Sequence, residues 1–409
     1  MSTSAPTPPG SPTREPQKTF YFFSSCPEPW GGSEELWAGA AEELQKRGHR
    51  VLACKTYVSY DHFRIKQLET AGIPVHEYFL KFRRPSIRRT LNRILPNRYN
   101  FPTRNRLQEL WIRRIRESKV DLVIVCQSAN HDGLAAADIC IQAGVPYVVI
   151  VQKASDHDWP GDATRNLMRE AFTKALKSYF VSEHNQQLTE NQIGCHIPNS
   201  SVVRNPFKIL SADPLPYPVP ADGIYRLACL ARMNVFDKGQ DILLNVLASE
   251  KWKQRPLHVH FFGKGMHHEG LEGMAKHLGV ANAHFMGFTN YVTEVWKEHQ
   301  ALVLPSRAEG LPLVLIEAML SGRVPIITDA GGSAEVVDDG VTGFLAEAAN
   351  MVSLDNALER AWARRGEWGE MGKLASQRVQ QMVPLNPCSS FATELESIAM
   401  HATKHNSGS

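Results

Sequence analysis

From Thr19 onward the chain alternates short apolar runs with amphipathic stretches, and that alternation restricts it to βαβ units built around parallel sheets. In the first half, strands are predicted near Phe20–Ser24, Val51–Thr56, Leu122–Cys126, Tyr147–Val151 and Tyr179–Val181. Helices are predicted at Glu34–Arg47 and Gly133–Ala143, each stopped by a glycine (Gly48, Gly144) suited to the left-handed turn that closes a helix. The alternation ceases around Asn205–Gly223. There SADPLPYPVPADG carries four prolines and reads as an interdomain linker. A second α/β series then runs through strand Tyr225–Ala231, helix Gln240–Ala248, strand His258–Gly263, helix Gly270–Leu278 and strand Ala283–Met286. It continues through strand Ala301–Pro305, helix Leu313–Ser321 and strand Pro325–Thr328.

A chain of 409 residues exceeds one ordinary core, so two domains are expected. The predicted organisation is a disordered tail (1–17), a first domain (18–205), the linker (206–223), a second domain (224–375) and a closing segment (376–409). That last segment holds a candidate helix returning to the first domain, and a disordered end. Ligands in open α/β sheets bind beyond the carboxyl ends of the strands, so the site is expected in the cleft between the domains.

Composition removes several classes. Hydrophobic content of 43% and charged content of 21% belong to a globular protein, and no apolar run is long enough to span a membrane. The N-terminus lacks the pattern of a secretory signal. Seven scattered cysteines without a Cys-x-x-Cys pair favour buried free thiols in a reducing cytoplasm over disulfides or structural zinc. No His, Cys or acidic cluster shows metal-ligand spacing along the chain. The net charge of +3 hides a basic segment: twelve Lys or Arg lie between Lys81 and Arg116 against one acid, Glu109. Within it Ile87, Leu91, Ile94 and Leu95 fall at helical spacing among Arg88, Arg89 and Arg93. A basic amphipathic helix suits a membrane surface or an anionic partner, and a basic loop bordering the cleft is the plain alternative. Aromatics are sparse there, so nucleic acid is not expected.

The densest chemical signal is PSRAEGLPLVLIEAMLSGRVPII, residues 305–327. A strand ends at Pro305, a loop carries Glu309-Gly310, and a helix starts near Pro312, a residue tolerated in a first turn. Unpaired backbone N–H groups and the positive end of the helix dipole favour an anion there. Glu309 and Glu317 can accept hydrogen bonds from different hydroxyls of one extended ligand. On these residues alone, an ordinary strand–helix junction explains the segment about as well. In the first half, Gly31-Gly32-Ser33-Glu34 joins the first strand to the first helix; two glycines permit close backbone approach, and Ser33 is a candidate N-cap. The pattern is not Gly-x-Gly-x-x-Gly, so no nicotinamide cofactor is expected.

The spacing Glu309-x(7)-Glu317, with Pro305-Ser306 before it and Ala318-Met319 within it, resembles the family-4 retaining glycosyltransferases of the GT-B fold. Three further stretches match that pattern in order: LARMNVFDKGQDILL (Leu230–Leu244), FFGKG (Phe261–Gly265) and AGGSAEVVDDGVTGFL (Ala330–Leu345). The resemblance extends over roughly Phe20–Leu345. It implies two Rossmann-like domains and metal-independent transfer of a hexose from a UDP- or GDP-sugar to an acceptor hydroxyl, with no cofactor. It implies that Arg232 and Lys238 hold the diphosphate, that Glu309 contacts the sugar, and that Glu317 contacts the ribose. Gly310 and Leu311 would offer backbone N–H groups, Gly263 would lie in the donor site, the Gly287-Phe288 turn would lie beside the base, and Gly31-Gly32 would face the phosphates or the acceptor. A departure lies in the first domain. Where many members carry a cleft histidine after the strand matching Pro146–Val151, this chain has Gln152, with His157 and His131 as other candidates. The implied acceptor is lipid-linked or anionic, with 81–116 touching the inner face of a membrane. Two rivals stay open: a sugar-nucleotide epimerase and an inactive scaffold of the same fold.

Overall fold

The computed structural model describes residues 16–77, 106–207, 213–384 and 386–406. The predicted tail up to residue 15 and the predicted basic helix around Ile87–Leu95 lie outside them. Thirteen strands are described, all pairing in parallel. The first sheet holds β1 (Thr19–Ser24), β2 (Arg50–Lys55), β3 (Val75–Glu77), β4 (Leu122–Gln127), β5 (Tyr147–Val151), β6 (Lys177–Phe180) and β7 (Ser200–Val202). The second holds β8 (Tyr225–Leu230), β9 (Leu257–Phe262), β10 (Ala283–Gly287), β11 (Ala301–Leu304), β12 (Val324–Thr328) and β13 (Phe344–Ala346). Their orders are β3-β2-β1-β4-β5-β6-β7 and β10-β9-β8-β11-β12-β13. In both sheets the order reverses at the centre, between β1 and β4 and between β8 and β11, and such a switch point leaves a crevice at the strand ends. The three-residue strands β3, β7 and β13 are too short to generate a periodicity and are not predicted from sequence.

The central strands of each sheet are apolar on both faces, as strands of a parallel sheet covered by helices must be. Phe20 and Phe22 of β1 join one cluster and Tyr21 and Phe23 the opposite one, all buried. The second sheet repeats this. Leu227 and Cys229 face one cluster, and Ala228, with Leu302 and Leu304 of β11, faces the other.

The final helix, Pro387–Asn406, leaves the second domain and packs on the first. Phe391, Ala392, Leu395 and Ala399 are buried in the cluster that contains Phe20 and Phe22, and Phe391 meets Tyr179 edge-on at 4.9 Å. Burying a side chain the size of Phe391 or Leu395 contributes about 1.5–3 kcal/mol. Glu396 ties this helix down further, accepting from Arg47 at 2.5 Å and lying 2.6 Å from His49 Nε2. The preceding helix runs Trp368–Met382, passing through residue 375 without interruption.

Candidate functional site

Most residues singled out in the second domain lie where the chain leaves the carboxyl end of a strand; Lys238 ends the short helix Val235–Lys238 that follows β8, and Glu317 lies in the helix Leu313–Leu320. Arg232 follows β8, Gly263 follows β9, Gly287 and Phe288 end β10, and Glu309 follows β11. The first domain mirrors this. Gly31 and Gly32 follow β1, His131 follows β4, and Gln152 and His157 follow β5.

The core of the arrangement is the loop after β11. Lys238 Nζ donates to Glu309 Oε1 at 2.6 Å, and Ser306 Oγ donates to the same oxygen at 2.8 Å. Glu309 is 7% exposed and Ser306 1%, so this carboxylate is held by an ammonium and a hydroxyl in a nearly dry setting. The partners meet because two loops are stitched together by backbone. Asn234 caps the short Val235–Lys238 turn through the Phe236 N–H, and the Asp237 carbonyl accepts from Arg307 (2.7 Å) and Ala308 (3.1 Å). Arg307 adds a bidentate pair with Asp241, at 2.7 and 2.8 Å. Gly239 has φ +62°, and a Cβ there would lie 2.0 Å from the Pro305 carbonyl oxygen. Only glycine lets the loops touch.

The helix Leu313–Leu320 starts behind Pro312 with no side-chain cap, and Glu317 is buried within it at 5% exposure. Leu311 is buried against the adjoining cluster, so only its backbone is suited to a ligand. The Gly263 N–H donates to the Gly287 carbonyl at 2.8 Å, which brings those two turns side by side. Phe288 is exposed, with Lys264 Nζ 5.9 Å from its ring centre.

The two domains meet across these loops. A Cβ on Gly310 would fall 2.0 Å from the Gln152 carbonyl oxygen and 2.7 Å from Val181 Cγ2. One on Gly332 would fall 2.5 Å from Ser182 Cβ, and one on Gly32 2.7 Å from Leu313 Cδ1. Ion pairs cross the same seam. Lys153 reaches Asp237 at 2.9 Å and Arg232 reaches Glu28 at 3.1 Å. Glu335 accepts from the His184 N–H at 3.0 Å and from Arg204 at 3.2 Å. Arg232 keeps more than half of its side chain exposed, and its other guanidinium nitrogen is 4.0 Å from Asp237. Arg232 and Lys238 are thus each held by a carboxylate, Arg232 by Glu28 and Lys238 by Glu309.

The first-domain candidates separate. Gln152 exchanges two hydrogen bonds with Asn205, donating at 3.2 Å and accepting at 2.6 Å, and is 8% exposed. Its amide is thus oriented by a residue just before the proline-rich stretch. His131 sits 3.2 Å from Asp158. Its loop is pinned by Asp132, which accepts from Ser25, Ser128 and the Ala129 N–H (2.9 Å). Burial raises the Asp132 pKa in spite of those hydrogen bonds. His157 is exposed on the loop beyond. Ser33 is not the N-cap expected from sequence. It lies inside a 3-10 turn, Gly32–Glu34, and Glu34 precedes the helix Glu35–Lys46 instead. Glu34 turns inward, accepting from Ser24 at 2.8 Å and from Lys55, both carboxylate and ammonium being almost wholly buried.

Ser306, Asp237, Glu28, Asn205 and Glu335 join the site although the motifs assign them no role. Asp237, Ser306 and Glu335 sit inside the motifs quoted above and carry a local signal there. The others come into place through tertiary contacts that leave no local signal.

Two parallel-sheet domains opposed across their strand ends constitute the GT-B architecture, and the solved structures it resembles are glycosyltransferases of that class. Anabaena HepE in complex with UDP aligns with TM-score 0.71 at 18% identity, covering 93% of this chain and 100% of that one. Sucrose-phosphate synthase from Thermosynechococcus elongatus aligns with TM-score 0.72 at 16% identity, covering 94% and 100%. Within the chain, residues 225–364 match the family described as Glycosyl transferases group 1. An uncharacterized glycosyltransferase of Haemophilus influenzae is 34% identical over 125 residues, 30% of this chain and 35% of that protein. A GDP-mannose-dependent phosphatidylinositol monomannoside mannosyltransferase of Mycolicibacterium smegmatis is 31% identical over 144 residues, 32% of this chain and 37% of that one. These matches span little more than a third of the curated relatives' length.

Proposed function

We propose that the chain is a retaining glycosyltransferase of the family-4 type, moving a hexose from a UDP- or GDP-sugar to an acceptor hydroxyl without a metal ion. The observation that carries this is that Lys238 clasps Glu309, with Arg232 4.0 Å from the neighbouring Asp237, while Gly310 and Leu313 beside them touch Gln152 and Gly32 of the other domain. Arg232 and Lys238 would bind the diphosphate and stabilise the charge that grows on it as the bond to the sugar breaks. Glu309, held by Ser306, would then be released from Lys238 to accept hydrogen bonds from the sugar. Glu317 would hold the ribose, and the Gly263–Gly287 turns and Phe288 would border the base. With the donor's C1–O bond breaking on the face where the acceptor oxygen arrives, the acceptor proton passes to the leaving diphosphate oxygen and the configuration is retained. HepE solved with UDP and with UDP-glucose supports a nucleotide-sugar donor, and the mannosyltransferase above supports testing a guanosine donor as well. A lipid-linked or anionic acceptor, met by the basic segment 81–116 at the cytoplasmic face of a membrane, fits the charge asymmetry; no described helix is long and apolar enough to cross one.

The test is a panel of UDP- and GDP-sugars screened by thermal shift, then NMR of the first product formed with the best binder. Stabilisation by one nucleotide and a product anomer matching the donor are expected. An inverted anomer would remove retention from the proposal, and isomerised donor without release of diphosphate would replace transfer by epimerisation.

A further inference from the structure

The second domain carries a histidine cluster away from the diphosphate cations. His258 and His260 alternate on β9 and point away from the core that takes Leu257, Val259 and Phe261. On the edge strand β10, His284 is in register with His260. His299, just past the helix Val292–Glu298, is buried beneath them. One ring nitrogen from each of His258, His260 and His284 lies within 4.8 Å of the other two.

Hydrogen bonding sets the tautomers. His299 Nδ1 is 2.7 Å from the Val295 carbonyl, which can only accept, so Nδ1 carries the proton and Nε2 is bare. His260 Nδ1, 2.8 Å from that Nε2, must then donate to it. The proton of His260 is used up on this side, and its Nε2 keeps a lone pair. This is the orientation a metal-binding histidine is given when its second nitrogen donates to a fixed acceptor. On the other side His284 Nε2 and His258 Nδ1 are 3.1 Å apart. In a tetrahedral site with Zn–N of about 2.0–2.1 Å, neighbouring nitrogens are about 3.3 Å apart. The protein thus holds this pair near chelating distance before any ion arrives. Arg226, in register with His258, would repel a cation, but Asp222 holds its guanidinium in an ion pair.

We propose that His258, His260 and His284 bind one divalent transition-metal ion, Zn2+ fitting best, with water in the fourth position. Imidazole ligands suit zinc, copper and nickel, and three neutral histidines with an open position are a recognised zinc set. Bound there, the ion would pin edge strand β10 to β9, the strands whose ends carry the Gly263–Gly287 contact.

The experiment uses the untagged full-length chain, stripped with EDTA and titrated with ZnCl2 by calorimetry at neutral pH. One equivalent should bind, raising the melting temperature. His260→Ala and His284→Ala should each weaken binding by about 100-fold or more, above the loss typical of removing a supporting partner. Co2+ should give the intense visible bands of a tetrahedral nitrogen site without thiolate charge transfer. Absence of stoichiometric zinc binding to the wild type would overturn the proposal and leave the cluster as hydrogen-bonded imidazoles. Binding that survives both substitutions, or thiolate bands with Co2+, would place the metal elsewhere and overturn it equally. His284 lies on an edge strand, so its variant decides the matter if His260→Ala fails to fold.

Discussion

The loop after β11 and the loop after β5 face each other across the cleft, yet they are built in different ways. The first is held mostly by backbone contacts within its own domain, Asp237 to Arg307 and Ala308 and Gly239 against Pro305, with Ser306 donating to Glu309. The second is held by side-chain contacts instead. Asn205 orients Gln152, and Lys153 crosses to Asp237 in the other domain. The family match covers the first and stops short of the second. On the proposed function the first loop serves a diphosphate, which demands one geometry of cations and N–H groups, and the second serves an acceptor. An acceptor of unspecified shape imposes no such fixed pattern, so that side is free to recruit different residues.

The contrast is broken most directly at the point where the two loops touch. Gly310→Val would drive a side chain into the Gln152 carbonyl and Val181. Holding the domains apart by about 1 Å should reduce transfer about 100-fold or more, measured as released diphosphate, while circular dichroism shows both domains folded. If Gly310→Val transfers at near-normal rates, closure across this seam is not required.

Lys238→Ala should lower kcat by about 100- to 1,000-fold, the usual loss when one preorganised charge-stabilising group is removed. It also leaves the Glu309 carboxylate buried without its ammonium, so melting should be recorded beside kinetics. A variant that melts normally and turns over donor normally would detach the diphosphate role from this residue.

A smaller effect is expected on the other loop. Gln152→Ala and Asn205→Ala should change the acceptor KM more than donor binding. A double-mutant cycle should show coupling of about 0.5–3 kcal/mol, as residues in one hydrogen-bond network do. Additive effects would mean that Asn205 does not act through Gln152.

The smallest effect is on stability. The pKa of His260 is about 4 against an ordinary 6.5, and those of His258 and His299 are also lowered, burial being the main cause in each. Between those values the unfolded chain takes up protons that the folded chain does not, so stability falls as pH drops from about 6.5 to about 4. His260→Gln should flatten that part of the melting-temperature profile. An unchanged slope would show that the imidazoles are charged in the folded protein.

Sequence alone determined the parallel α/β class, the division into two series, and most of the central strands, because apolar alternation is a local consequence of burying both sheet faces. It also singled out Arg232, Lys238 and Glu309 as candidates, since each sits in a local motif. Tertiary structure decided what those residues touch. Nothing local reveals that Glu309 is clasped by Lys238 and Ser306, that Gln152 answers to Asn205, or that Ser33 yields its capping position to a buried Glu34. The histidines show this most sharply. His258 and His260 lie two apart on one strand, but His284 joins them only through strand pairing and His299 only through the packing of a helix end. Spacing along a chain records one strand's neighbours; the register between strands, set by the whole hydrophobic pattern, is what brings the side chains together.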